Sequence, residues 1–480
     1  MAHSPFQIGR LTGKALVLAL GRGSTVLAQF AVNLMLVRWW MPEQFGEFHE
    51  IRVFVSAALL LELGLPTGLL QIGSGRNQAE RELMYRRGVT VASLLGIIAL
   101  IGFGIATVFI SDPRIAYALI PAGILVAANI PSAAIESVLI VRNRHSAASI
   151  SSALAAVASF GLVAIALMIS PTLVGVYAAL AIGAVARLIA YRALVGDGAR
   201  LIGVWTTNAL ELIRISLGVS ATRMFGMVSA WIDRAVVMTF FSASALGVYV
   251  AGAWEVPFMA IFFGAITAAI VPEMSDHWSA GRREDALAVW KGAVSRSAWL
   301  IFPLWIWALL WAPELIRVLF TNTYGDAVPI FRAYLVMLPL RVAVFGAFLV
   351  AIGEVRAMIV GAAIDVIVNL CASVVLAASV GMIGPAFATT LGTYAQVGYY
   401  LVFVRRRLDL TFGAILPWRE LAKAVIVAFV VIAPTIAVRI LLESDAVALV
   451  VSAVFVGTVF AILAYYGVGE LFVRRSARAR

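Results

Sequence analysis

Cysteine is nearly missing from this chain. Cys371 is the only one in 480 residues, so neither an internal disulfide nor a cysteine metal site can form. The four histidines (His3, His49, His145 and His277) are scattered and make no ligand pair. Charge is scarce too. Asp, Glu, Lys and Arg together make up 13% of the residues, about half the share of a soluble domain. A phosphate loop is also lacking. Gly9-Arg-Leu-Thr-Gly13-Lys14 is one residue short of the required spacing and has no hydroxyl residue after the lysine. Gly21-Arg22-Gly23 lacks the third glycine of a dinucleotide fingerprint. No nucleophile–base pair stands out in the short loops. The expectation is therefore a non-enzyme with no catalytic residues, no metal and no bound cofactor, and no ATP drive within the chain.

What the chain has in excess is apolar length. Hydrophobic residues are 62% of the total and mean hydropathy is +1.00. A bilayer crossing takes roughly 20 apolar residues, and about fourteen such stretches can be read from Lys14–Trp40 to Ala446–Phe472. The stretch Leu11–Trp40 is too long for a cleaved signal peptide. The net charge of +11 does not indicate nucleic acid, because the basic residues lie between apolar spans rather than in one patch. One set of loops carries Arg81, Arg86 and Arg87, then Arg142 and Arg144, Arg192, Arg282 and Arg283, Arg356, and Arg405–Arg407. The alternate loops, among them Met41–Gln44, Ser111–Arg114 and Ser242–Ser244, are nearly free of cations. This bias places both termini of a multi-pass protein in the cytoplasm, with an even number of spans.

An internal repeat accompanies the spans. Gly46 and Gly247 are 201 positions apart, and at the same shift Phe48 meets Tyr249, Leu36 meets Val237 and Arg22 meets Arg223. Arg142-Asn143-Arg144 and Gly353-Glu354-Val355-Arg356 occupy matching loops. Six spans separate each pair. An even number preserves orientation, so the halves read as parallel repeats. The expected organisation is a six-helix bundle over residues 1–195, a cytoplasmic linker over 196–213 that is either an interfacial amphipathic helix or a plain connector, a second six-helix bundle over 214–407, and two further spans with a basic tail over 408–480.

Several of these segments carry a family pattern. Leu36-Val-Arg-Trp-Trp-Met-Pro42-Glu-Gln-Phe45-Gly46-Glu-Phe48, Ser229-Ala-Trp-Ile-Asp233-Arg234 continuing to Leu246-Gly247-Val-Tyr249, Val318-Leu-Phe320-Thr-Asn-Thr-Tyr324, Gly353-Glu354-Val-Arg356 with Asp365 and Asn369, and Gly384-Pro-Ala-Phe-Ala are together similar to bacterial polysaccharide and O-antigen flippases. These belong to the multidrug/oligosaccharidyl-lipid/polysaccharide exporter superfamily. The resemblance covers most of residues 15–405. It implies an all-α membrane fold of two six-helix bundles around a central cavity. It also implies export of a polyprenyl-pyrophosphate-linked oligosaccharide across a bacterial inner membrane by alternating access, in a monomer that works beside glycan polymerase and glycosyltransferase partners. Fourteen spans instead of twelve also resemble the layout of peptidoglycan-precursor flippases, which keeps lipid II open as a substrate. A glycan polymerase or ligase is the alternative of another class, though such enzymes need a long outer loop that this chain lacks.

Charges within apolar spans cost about 2.5–3.5 kcal/mol each on insertion scales, so each is a candidate. Arg22, Gln29 and Asn33 share one helical face, as do Arg223 and Arg234. Guanidinium forks suit phosphate oxygens, and the substrate-binding set is Arg22, Gln29, Asn33, Arg52, Arg223, Arg234 and Arg341. Acidic residues that could carry a coupling proton or sodium ion are Glu62, Glu136, Asp233, Glu255 and Asp365. The competing role for each is snorkelling or helix–helix hydrogen bonding.

Overall fold

The computed structural model describes residues 23–71, 77–196, 207–254 and 258–465. Arg22, Glu255 and most of the 196–213 linker lie outside them. Among the described residues every regular element is a helix. In chain order these are α1 (residues 23–39), α2 (Pro42–Ala58), α3 (Leu65–Gln71), α4 (Gln78–Phe109), α5 (Pro113–Val141), α6 (His145–Ile169) and α7 (Leu173–Val195). There follow α8 (Thr207–Phe240), α9 (Ala243–Gly252), α10 (Phe258–Ser279), α11 (Arg283–Leu310), α12 (Ala312–Phe320), α13 (Ala327–Leu335), α14 (Leu338–Arg341) and α15 (Phe345–Ala351). The chain ends with α16 (Val355–Val380), α17 (Gly384–Leu408), α18 (Phe412–Ile415), α19 (Trp418–Ile432), α20 (Thr435–Leu441) and α21 (Asp445–Tyr465). Ten helices are long and apolar enough to cross a membrane, or eleven if the bent α8 is one span. These counts hold for the described residues and do not confirm fourteen.

The apolar surface lies where a bilayer would meet it. Along α4, Ile98, Ile101, Ile105 and Phe109 are exposed at helical spacing, which suits contact with lipid and would be a liability in water. Helix contacts are instead built from small residues, as is usual in membranes. A Cβ on Gly96 of α4 would lie 2.7 Å from the Ala127 carbonyl oxygen of α5.

The chain forms two compact units. The first comprises residues 1–231 and Ser242–Gly247, the second Ile232–Phe241 and 248–480. In the first unit, α4 and α7 both pack along α5, and α6 packs along α7. In the second, α16 pairs with α17 and α10 with α11, while α11 also contacts α19.

Two spans that read as continuous in the sequence are broken. The stretch Glu47–Ile72 becomes α2, a 3-10 turn over Leu59–Glu62, and then Leu63 and Gly64, both in the left-handed region at φ 48° and 70°. Gly64 suits that geometry, whereas Leu63 is strained there. The break leaves carbonyls without helical partners, and the Ser220 hydroxyl of α8 donates to the Gly64 carbonyl at 3.1 Å. The stretch Ala327–Ile352 splits into α13, α14 and α15, with Val344 left-handed at φ 42°. Here the buried Trp290 indole donates to the Ala343 carbonyl at 2.7 Å. Each break is thus supplied with a side-chain donor from a neighbouring helix, which is how irregular backbone persists at membrane depth. The matched loops share a device as well: Asn143 and Gly353 are both left-handed, at φ 59° and 78°.

The C-terminal helices are docked, not loosely appended. Trp311 is fully buried against Ala448 and Leu449 and its indole donates to the Thr435 hydroxyl at 3.1 Å. Buried Glu314 accepts from Arg439 at 2.7 Å and Arg317 at 3.2 Å, and Arg317 reaches Asp445 at 2.7 Å.

Candidate functional site

The first unit holds a polar interior inside an otherwise apolar bundle. A cavity of about 130 Å³ is lined by Thr25 and Gln29 from α1, Arg52 from α2, Asn129 from α5, Ser152 and Ser159 from α6, and Arg187 from α7. The Arg187 guanidinium donates to the Asn129 side-chain oxygen at 2.7 Å. That bond leaves the Asn129 amide to act as a donor. The Thr25 and Ser152 hydroxyls meet at 3.2 Å. The wall therefore carries two guanidinium groups, two side-chain amides and several hydroxyls, a donor-rich lining suited to oxyanions and sugar hydroxyls.

An ion pair stands close to this cavity. Glu62, at the break in the second span, lies 3.7 Å from Arg223 of α8. The charges of Arg187 and Glu136 also act on the Glu62 carboxylate. Arg187 thus belongs both to the cavity wall and to the surroundings of Glu62. The Glu62 side chain is 12% exposed and that of Arg223 53% exposed, so the carboxylate is fixed in the protein while the guanidinium stays accessible. Local sequence explains the placement. Ser220 and Arg223 stand three residues apart on the same limb of the bent α8, which puts them on one face. Ser216 sits against Gly68 and Ser220 against Gly64.

The candidates named from the sequence fall into separate places. Gln29 and Arg52 share the cavity, Glu62 and Arg223 form the ion pair, and Glu136 lies within their field. Asn33 is not on the cavity wall, and its side-chain oxygen is buried without a hydrogen-bond partner among the described residues. Asp233, Arg234, Arg341 and Asp365 belong to the second unit. Buried Asp233 accepts from the Tyr249 hydroxyl at 2.9 Å, from the Tyr334 hydroxyl, and from the Arg234 backbone N–H at 2.8 Å. The Arg234 guanidinium donates to the Ala253 carbonyl at 2.9 Å. Arg341 stands at the break between α14 and α15. Asp365 and Asn369 are buried on one face of α16, where Asn369 accepts from Ser373 at 3.0 Å and Thr389 at 3.3 Å. Arg22 and Glu255 lie outside the described residues. Among the described residues no group of three His, Cys, Asp or Glu side chains could hold a metal ion.

Arg187 is the charged cavity residue that the sequence reading misses, along with the polar Thr25, Asn129, Ser152 and Ser159. Its signal is a charge inside the span Thr172–Leu194, in register with Leu180, Gly183 and Ala184, which line the same cavity.

Comparison with known proteins sets this site in context. Residues 11–278 match the family model described as polysaccharide biosynthesis protein. The chain belongs to that family. A curated relative of this polysaccharide biosynthesis family member comes from Haloferax volcanii and is described as a probable low-salt glycan biosynthesis flippase, Agl15. It is 26% identical over 187 residues, 38% of this chain and 39% of the relative, so the match spans well under half the length of that protein. Among solved structures, the lipid II flippase MurJ in its inward closed conformation superposes with a TM-score of 0.75 at 13% identity, covering 95% of this chain and 100% of that one. A transporter of the MOP superfamily from Pyrococcus furiosus, described by the reverse polarity of its binding pocket, gives 0.59 at 14% identity over 82% of this chain and 94% of that one. A multidrug resistance MATE transporter in an inward-facing conformation gives 0.61 at 15% identity, over 80% and 94%. The fold of this polysaccharide biosynthesis family member is thus the helical fold of these flippase and transporter structures. The proteins it is similar to are named as flippases and transporters, not as enzymes.

Proposed function

We propose that this protein is a flippase that carries a polyprenyl-pyrophosphate-linked oligosaccharide, an O-antigen or exopolysaccharide repeat unit, from the cytoplasmic to the periplasmic leaflet. The observation that carries the reading is the cationic interior of the first unit, with Arg223 accessible and paired to Glu62. A diphosphate is a stronger partner for a guanidinium than a single carboxylate, because it offers several charged oxygens in a forked array. The lipid head therefore competes with Glu62 for Arg223, and the Arg52 and Arg187 cavity offers donors for the first sugar. Displaced from Arg223, Glu62 becomes the group that takes up a coupling proton or sodium ion, with Glu136, Asp233 and Asp365 as further candidates. Alternating access then follows from rocking of one repeat against the other. The protein acts as a monomer in the inner membrane, termini in the cytoplasm, beside the polymerase and glycosyltransferases that use the same carrier.

The MurJ superposition favours lipid II as the second reading. It shares the lipid diphosphate chemistry and differs in the glycan. Transfer of fluorescent lipid-linked oligosaccharide across reconstituted vesicles tests both. We expect Arg223→Ala to abolish transfer while folding is retained, and the Arg22→Ala and Arg223→Ala double variant to behave alike. Unchanged transfer in all of these variants would overturn the cationic-site reading. Glycan transfer to an acceptor without leaflet exchange would overturn the flippase itself.

A further inference from the structure

The cation-rich end of the first unit contains a second cluster, away from the cavity lining and built on the first turns of α4. Tyr85 is 4% exposed, and its hydroxyl is sealed from solvent with no hydrogen-bond partner among the described residues. A buried hydroxyl left in this way costs about 1–3 kcal/mol, and such groups are normally bonded. The charges that act on this phenol are those of Arg81, Glu82 and Arg142. The Arg81 Nε is itself buried without a partner among the described residues. Arg142, at the end of α5, is held in place from two sides: one nitrogen donates to the Val195 carbonyl at 3.0 Å and another to Glu82. That uses two of its five donors. Glu82 also lies 3.5 Å from Arg86, so its charge is shared between two arginines. Arg81, Arg86 and Arg142 against Glu82 leave a surplus of positive charge around a phenol that has a hydrogen to donate.

We propose that Tyr85, Arg81 and Arg142 form a receptor for one phosphate group borne by a membrane lipid. Two guanidinium groups and a phenol O–H surround an oxyanion with donors, and none of the three contributes a competing negative charge. Glu82 and the Val195 carbonyl fix the Arg142 fork, so little side-chain freedom is lost on binding. The position at the end of α4 matches the headgroup layer of a leaflet rich in anionic lipid. Two lipids carry the required phosphate there: an anionic phospholipid, which would brace the first unit, and the diphosphate carrier, which would dock before entering. Only the second source rests on the flippase reading.

Native mass spectrometry of the purified full-length protein tests the proposal without a transport readout. The probes are dioleoyl phosphatidylglycerol, farnesyl diphosphate, and phosphatidylcholine as the reference for acyl-chain binding alone. We expect Tyr85→Phe and Arg81→Gln each to weaken phosphatidylglycerol or farnesyl diphosphate binding about tenfold, the loss of one charge-assisted hydrogen bond. Arg407→Gln, in the second unit, should change nothing. A loss confined to phosphatidylglycerol assigns the site to the membrane headgroup, and one confined to farnesyl diphosphate assigns it to the carrier. If neither probe responds to Tyr85→Phe, an isosteric change that leaves the helix intact, the proposal is overturned. Equal losses with Arg407→Gln would overturn it as well.

Discussion

Gly46 and Gly247 face each other across a backbone-to-backbone contact. A Cβ on Gly46 would lie 1.7 Å from the Ala243 carbonyl oxygen, and one on Gly247 would lie 2.0 Å from that of Pro42. Pro42 and Ala243 stand at the same 201-position shift as the two glycines. The contact is therefore reciprocal, each repeat partner pressing on the residue that corresponds to its own neighbour. Both sides belong to the first unit. Neither Gly46→Ala nor Gly247→Ala can be accommodated without moving α2 away from α9. We expect each to destabilise the protein by the ~1–3 kcal/mol of overpacking and so to lower the thermal midpoint. The double variant should cost less than the sum, since one displacement relieves both clashes. A double-mutant cycle on purified protein measures this. Strict additivity would show that the contact is not shared.

The break at Gly64 makes a second, separable prediction. Gly64→Ala places a Cβ 2.3 Å from the Ser220 side chain, and it does so at φ +70°. Left-handed strain costs about 1–2 kcal/mol, and the collision adds to it. Ser220→Gly should recover only the collision with Ser220, and leave both the strain and the 2.7 Å approach to the Ser216 carbonyl oxygen. It should also leave the Gly64 carbonyl without its donor, so rescue will be partial. Full rescue would mean that the backbone at this break relaxes freely.

Arg187 is expected to matter for transport more than for folding. Arg187→Gln keeps a donor toward Asn129 but removes charge from both the cavity wall and the field on Glu62. We expect at least a tenfold loss of vesicle transfer, on the scale of a hydrogen bond to a charged group at about 1.5–3 kcal/mol. The yield of inserted protein should be preserved. Arg187→Lys should restore charge but not the planar fork, and so recover only part of the rate.

The C-terminal helices should prove necessary for stability. Glu314→Ala leaves Arg439 and one arm of Arg317 without the carboxylate they share; both guanidinium groups reach solvent, so the cost is that of charge-assisted hydrogen bonds, about 1.5–3 kcal/mol. Removal of residues 409–480 should be worse, because it bares the buried face of Trp311. Intrinsic tryptophan fluorescence during heating reads both, since Trp307 and Trp311 lie at the contact. A truncated chain that melts like the intact one would refute the docking described.

Hydropathy alone determines the membrane class, the all-helical fold and most span positions, because twenty-residue apolar sums survive local errors. The 201-residue shift pairs Gly46 with Gly247 on the same linear information. What the sequence does not carry is any feature that depends on the rotation and depth of one helix against another. Leu63-Gly64 and Val344 look like span interior, and only packing shows that Ser220 and Trp290 supply donors where the backbone leaves the helix. Arg187 escapes a linear reading because its partners, Asn129 and the field of Glu62, come from α5 and from the break after α2. Arg223 and Glu62 each stand out as a charge needing a reason, yet nothing local says that each is the other's reason. Composition and periodicity are properties of one segment and are written along the chain. The choice of partner is a property of two segments far apart in sequence, and only the packed bundle decides it.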